Sequence, residues 1–295
     1  MKLIIDPRGG MAGDMFTAAL VSAGADFAPI RDAMQTAGRK LGSTEIILKQ
    51  ANDGASQLDI KLHSHRHHLG GNEAREILHD LFHQFQVREK YSRLGMNILD
   101  ILVKAEIKAH KEFNIVIDDH SHHHSHAHLH EHSHEHSHAH PHDESHHHTN
   151  HHHPHRHHLE PEESFLHEAQ DIIIDIIGAV TGMQQLDIET SAELCAPVSV
   201  GGGFVTCSHG RLSIPAPATT VILRESDIPW KKGPVDIELF TPTGAAILSA
   251  LGSPLNPSLH PEKMEIKTSG TARGTKILDI PPLKFYLTYN SHEKS

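Results

Sequence analysis

The sequence predicts an α+β fold, mixed sheets with packed helices, interrupted by one long disordered histidine-rich insertion. Three observations predict it. Short apolar runs with period-two alternation stand beside longer segments whose apolar residues recur every three or four positions. The two patterns mix along the chain and no internal repeat is evident. Between them, 22 of the 33 histidines crowd into residues 120–158, where apolar side chains are too few to offset the entropy of ordering. The expected organisation is an N-terminal α/β part (1–119), the insertion (120–158) and a second α/β part (159–295) of one domain. The 295 residues are enough for a real core.

Residues 1–6 (MKLIID) read as a short buried strand, followed by a glycine-rich turn, Arg8-Gly9-Gly10-Met11-Ala12-Gly13-Asp14. An amphipathic helix follows to about Ala23, and another covers residues 30–41. Alternating runs at 45–49 and 58–62 flank an Asn52-Asp53-Gly54 turn signal, which predicts a hairpin. Residues 73–85 and 92–110 carry the three- and four-residue spacing of packed helices. After the insertion, order returns near Glu162 with a strongly apolar helix at 171–183. Short strands follow at 194–200, 204–208 and 211–214, then a strand at 235–240. A helix begins near Thr241-Pro242-Thr243, before weaker strands at 264–268 and 283–289.

Composition narrows the function. The 26 Lys and Arg residues are scattered and form no basic stripe interleaved with aromatics, so no nucleic-acid partner is expected. Net charge is −11 with histidine neutral, and imidazole adds positive charge as pH falls. The start lacks a signal-peptide pattern and no apolar run approaches a membrane span, which predicts a cytoplasmic protein with no membrane partner. Cys195 and Cys207 are too few for a disulfide framework and read as reduced thiols, either able to ligate a metal.

The strongest chemical signal is the tract. Neutral imidazole ligates Ni, Zn, Cu and Co, and alternating units let an extended chain present His122, His124, His126, His128, His130, His132, His134, His136, His138 and His140 as several low-specificity sites. An affinity tag or a spacer is the bland alternative. A second cluster, His63, His65, His67 and His68, directly follows a predicted strand and is either a defined metal site or a solvated loop. Cys207 and His209 stand two apart and share a face if the segment is a strand: a chelating pair, or a buried thiol beside a hydrogen-bonded imidazole.

His167, Asp171 and Asp175 are spaced by four and would line one helix face if the helix begins before Phe165. They suit a metal or a general base; helix-dipole stabilisation and capping would also explain the aspartates. Asp14, which closes the glycine turn, joins them as a candidate catalytic carboxylate. Gly9, Gly10 and Gly13 lie between a strand and a helix, where backbone N–H groups favour anions, and Thr241, Thr243 and Gly244 offer a comparable place. Neither is a Walker A loop or a complete dinucleotide fingerprint, and capping alone would explain the second.

Taken in order, residues 6–15 (DPRGGMAGDM), 63–69, Ala105-Glu106 with His110, 200–219 (VGGGFVTCSHGRLSIPAPAT) and 238–248 (ELFTPTGAAIL) resemble the LarC nickel-insertion proteins. The resemblance spans nearly the whole ordered chain. It implies a cyclometallase that inserts Ni(II) into pyridinium-3,5-bisthiocarboxylic acid mononucleotide, making the nickel-pincer cofactor of lactate racemase. It also implies CTP with Mg2+ or Mn2+. A nickel store or metallochaperone without catalysis is the alternative. Two local patterns depart from the family: 167–171 (HEAQD) is shorter than its counterpart, and the turn opens as 6–10 (DPRGG). The chain stops near the point where family members continue into a C-terminal domain associated with CTP, so a separate LarC-like C-terminal domain is an expected partner.

Overall fold

In a computed structural model, residues 1–65, 68–113, 165–167, 169–207 and 210–289 are described. The first strand, β1 (Lys2–Asp6), is buried from Leu3 onward, as a strand covered on both faces must be. Its turn leads into α1 (Gly13–Ser22) and α2 (Phe27–Leu41), the second capped by Asp26, whose carboxylate accepts from the Ala28 N–H at 3.0 Å. Next come β2 (Gly42–Gln50) and β3 (Ser56–His65), paired antiparallel around the Asn52-Asp53-Gly54 turn as predicted. A three-residue strand, β4 (His68–Gly70), precedes helices α3 (Gly71–Gln84) and α4 (Glu89–Glu112).

The chain resumes at β5 (Phe165–His167) and α5 (Ala169–Gln185). The short strands β6 (Ala192–Leu194), β7 (Val198–Ser199), β8 (Phe204–Cys207) and β9 (Gly210–Ser213) follow. Then come α6 (Pro217–Glu225), β10 (Trp230–Lys231), α7 (Pro242–Ala250), β11 (Ile266–Ala272) and β12 (Leu283–Thr288). One six-stranded sheet, in the order β2-β3-β11-β12-β1-β6, joins both halves of the sequence. β1 lies between antiparallel β12 and parallel β6. The described residues belong to one compact unit, 1–116 with 162–295. The predicted disorder of 120–158 lies outside them.

The helices cover the sheet through α1, where Phe16 meets Phe285 of β12 edge to face at 4.9 Å between ring centroids. α5 is buried on every side from Ile172 to Met183 because α1, α2 and α4 all pack on it, which explains its unbroken apolar run. Its buried acidic residue is Asp175.

Four expectations need correction. Phe165 to His167 form a strand paired with β4, in register His68 to His167, so the helix starts at Ala169 and His167 leaves the Asp171–Asp175 stripe. Residues 235–240 form no strand. Glu238 and Phe240 make single bridges to Gly201 and Met11, because the segment is clamped between two glycine turns rather than laid along a neighbouring strand. The 264–268 strand runs instead over Ile266–Ala272, where it finds β12 as partner. A helix absent from the sequence reading, α6, starts on Pro217, whose ring suits a first helical position but punctuates the sequence like a loop.

Candidate functional site

The two glycine-containing turns open onto one cavity of about 230 Å3. Gly9, Ala12 and Asp14 line it from the α1 side, and Glu238, Leu239 and Thr241 from the α7 side. The backbone brings them together: the Met11 N–H donates to the Leu239 carbonyl at 2.8 Å, and the Thr241 N–H to the Met11 carbonyl at 3.3 Å. Gly10 makes this approach possible. Its φ is +87°, and a Cβ there would stand 2.1 Å from the Leu239 carbonyl oxygen. Gly244 is pressed just as closely on the Met11 carbonyl, at 2.3 Å from where its Cβ would be. Thus Gly9 and Thr241 reach the cavity, while Gly10, Gly13, Thr243 and Gly244 are buried in the packing that shapes it.

The remaining wall, unforeseen from the sequence, is the loop that runs from Arg273 to Pro282 between β11 and β12. Arg273 braces it. Its Nε donates to Asp53 Oδ2 at 2.8 Å, its guanidinium also donates to the Ile280 carbonyl at 2.8 Å, and its backbone N–H to the Ser56 carbonyl at 3.0 Å. Gln57 donates to the Gly274 carbonyl. The loop is therefore tied to the β2–β3 hairpin turn at one end and to itself at the other. The only local signal was a Gly-Thr-Lys turn between two strands, which says nothing of its distant partners.

Three carboxylic acids meet where α1 crosses α5. Asp14 stands in the first turn of α1 and its carboxylate accepts from the Met15 N–H at 2.7 Å. Asp171 and Asp175 come from successive turns of α5. A Cβ on Gly13 would lie 2.2 Å from Asp175 Oδ2, so the missing side chain is what lets that carboxyl group rest against α1. Asp175 is 7% exposed, and its Oδ1 has no hydrogen-bond partner among the described residues. Burial pushes Asp14 up to about 6, with the charge of Asp171 adding to it against the pull of the Met15 N–H. Burial first, then the charges of Asp14 and Asp171, holds Asp175 well above the usual carboxylate range. Asp14, the member of this group that lines the cavity, is thus a stronger base than an ordinary carboxylate, and Asp175 behind it holds its proton more tightly than usual. That is the arrangement of a proton acceptor.

Arg8, the cation of the first turn, is committed elsewhere: its Nε and Nη2 bond Asp6 at 2.8 and 2.6 Å. Cys195 is half-buried, and burial followed by the Asp6 charge pushes its thiol up to about 11, which disfavours the thiolate that a metal would need.

The sequence-predicted metal ligands fall only in part among the described residues. His63 is exposed on β3, His65 ends that strand, and His68 stands opposite His167 in backbone register. Cys207 ends β8 opposite Gly210. His67, His209 and the tract from His122 to His140 lie outside the described residues. Among the described residues, no group of three or more His, Cys, Asp or Glu side chains is arranged to hold a metal ion, and no helix is long and apolar enough to cross a membrane.

The family model described as "Nickel insertion protein" matches residues 3–130 and 112–294. Three similar curated proteins carry the name pyridinium-3,5-bisthiocarboxylic acid mononucleotide nickel insertion protein. The one from a Thermotoga species (strain RQ2) is 31% identical over 306 residues, covering 97% of this chain and 61% of its own. That of Clostridium acetobutylicum is 32% identical over 314 residues, covering 94% and 61%. The protein of Desulfitobacterium hafniense is 31% identical over 286 residues, covering 95% and 56%. The chain thus spans about six-tenths of the length of the curated relatives it matches. No solved structure matches it.

Proposed function

Because this chain belongs to the nickel insertion protein family, we propose that it works in the cyclometallation of pyridinium-3,5-bisthiocarboxylic acid mononucleotide, the substrate in its relatives' names. The reaction replaces a ring hydrogen with nickel. The C–H bond between the two thiocarboxylates breaks heterolytically, its electron pair forms the Ni–C bond, and the proton leaves to a base. Nickel stays Ni(II). The soft sulfur donors direct the metal to that carbon. The product serves as the nickel-pincer cofactor of lactate racemase-type enzymes.

The single observation that supports this reading is Asp14: a carboxylate raised to about 6 on the wall of a cavity built by both glycine-containing turns. A base of that strength takes a proton near neutral pH and can release it again. In this proposal Asp14 accepts the ring proton, burial and then the charge of Asp171 raise its basicity, and Asp175 stands behind it. Gly9 and Thr241 border the bound mononucleotide. Nickel arrives as cargo from the histidine tract, with His63, His65, His67, His68, Cys207 and His209 as its ligands on the way. His167 enters through its backbone register with His68 of the second histidine cluster. CTP and its Mg2+ or Mn2+ are assigned to a LarC-like C-terminal domain outside these 295 residues, and the work to the cytoplasm.

The test mixes purified chain, Ni(II), CTP, Mg2+, the mononucleotide and, in a second arm, the C-terminal part of a relative. Mass spectrometry reads the nickel-bearing product. Product in the second arm, lost on Asp14→Asn, is the expected result. Bound nickel with the mononucleotide unchanged in both arms would favour the store or metallochaperone.

A further inference from the structure

The cavity has a charge pattern that the proton acceptor does not use. Its lining carries two acids, Asp14 and Glu238, and two cations, Arg273 and Lys276. The cations are not equivalent. Arg273 spends its donors on the Asp53 carboxylate and on the carbonyl of Ile280, and so holds the loop in shape. Lys276, three residues further along the same loop, has no ion-pair or hydrogen-bond partner among the described residues. An ammonium group with no partner, carried on a braced loop at the rim of a cavity, is a point charge available to an anion.

Resting on the mononucleotide reading above, we infer that Lys276 binds the 5′-phosphate of the substrate and so fixes which end of the molecule faces Asp14. A pyridinium mononucleotide has its reacting ring at one end and its phosphate at the other. Phosphate needs cations or backbone N–H groups to offset its charge. The α7 entrance gives little of that, because the Gly244 N–H is already taken by Thr241 Oγ1 at 3.2 Å. The α1 entrance presents Asp14, which repels a phosphate and suits the end that loses a proton. Lys276 is the remaining cation. Loop and α1 form different walls of the cavity, so phosphate on the first leaves the ring to the second. Lys276 is a binding and positioning residue, and the ring chemistry does not pass through it.

The neighbour Ile277 is 93% exposed, so the core does not depend on the loop tip and substitutions at position 276 leave the fold intact. Calorimetric titration of the 295-residue chain at low salt uses two probes: nicotinic acid mononucleotide, a pyridinium ribose 5′-phosphate, and the corresponding nucleoside. Wild type is expected to favour the mononucleotide by roughly tenfold, the size of one charge-assisted contact. Lys276→Ala should lose that preference, with nucleoside affinity unchanged, and Lys276→Arg should keep most of it. If wild type prefers the mononucleotide and Lys276→Ala does so equally, the phosphate is bound elsewhere; the assignment of Lys276 falls and the insertion reading stands. Equal affinity of wild type for both probes likewise removes the phosphate contact. If wild type binds neither probe, the mononucleotide reading of the cavity falls and Lys276 with it.

Discussion

Two helices of this fold begin at the same cavity, and they begin differently. α7 is capped by its own sequence: Thr241 precedes Pro242, and Thr241 Oγ1 accepts from the Gly244 N–H. α1 has Ala12 at the capping position, with no side chain to satisfy the first turn, and Asp14 inside that turn. A helix start that satisfies itself is a structural part and offers little to a ligand. One that leaves the task to an acidic residue, and then buries that residue against Asp171 and Asp175, stores a proton-binding site. The glycines look alike in sequence but support different ends. Gly244 lets α7 press on the Met11 carbonyl, whereas Gly13 makes room for the Asp175 carboxyl group.

The comparison breaks most directly at Asp14. Asp14→Asn should lower the rate of nickel insertion by about 100-fold or more, the usual worth of a positioned base, while nickel binding persists. Mass spectrometry of the product and equilibrium dialysis of nickel read the two effects, and unchanged turnover would remove Asp14 from the chemistry. Gly13→Ala should follow, destabilising the fold by about 1–3 kcal/mol as the new methyl group forces α1 away from Asp175, measured by urea unfolding.

The next effect has the opposite sign. Asp175 holds its proton more tightly folded than unfolded, so the native state binds more protons over the window above the ordinary carboxylate range. Its contribution is present at low pH and lost as pH rises through the folded value. Asp175→Asn should therefore raise Tm at pH 8 and do little at pH 4; an equal change at both would mean that the proton is not held there. The smallest effect belongs to the self-satisfied end. Thr241→Ala should cost about 1 kcal/mol of stability, the worth of one cap, and lower the insertion rate far less than Asp14→Asn does. A rate loss comparable to that of Asp14→Asn would erase the distinction between the two helix starts.

What the sequence disclosed follows how local each cause is. β1, the hairpin, the cap at Thr241 and the one-turn spacing of Asp171 and Asp175 are written within a few residues, and the structure has them. His167 was read onto the same helix because spacing by four continues through it; the β4–β5 pairing that makes it a strand residue involves a partner almost a hundred positions away. The 235–240 run has strand composition, yet its hydrogen bonds go to turns at Met11 and Val200, which periodicity does not register. The loop wall of the cavity was the least legible part. Arg273 braces it on Asp53, 220 residues earlier, and no short pattern anticipates that contact.

The placement of β1 also sets when this protein can fold. Its register runs from Lys2 opposite Thr288 to Asp6 opposite Lys284, so one of its two neighbours in the sheet is made about 280 residues later. At about 5–20 residues per second, the ribosome delivers β12 roughly 15–60 s after β1 has been made. Through that interval the apolar Leu3-Ile4-Ile5 run has no antiparallel partner, and α1 lacks the Phe285 ring against which Phe16 packs. Truncation before β12 should therefore yield aggregate rather than a smaller folded protein.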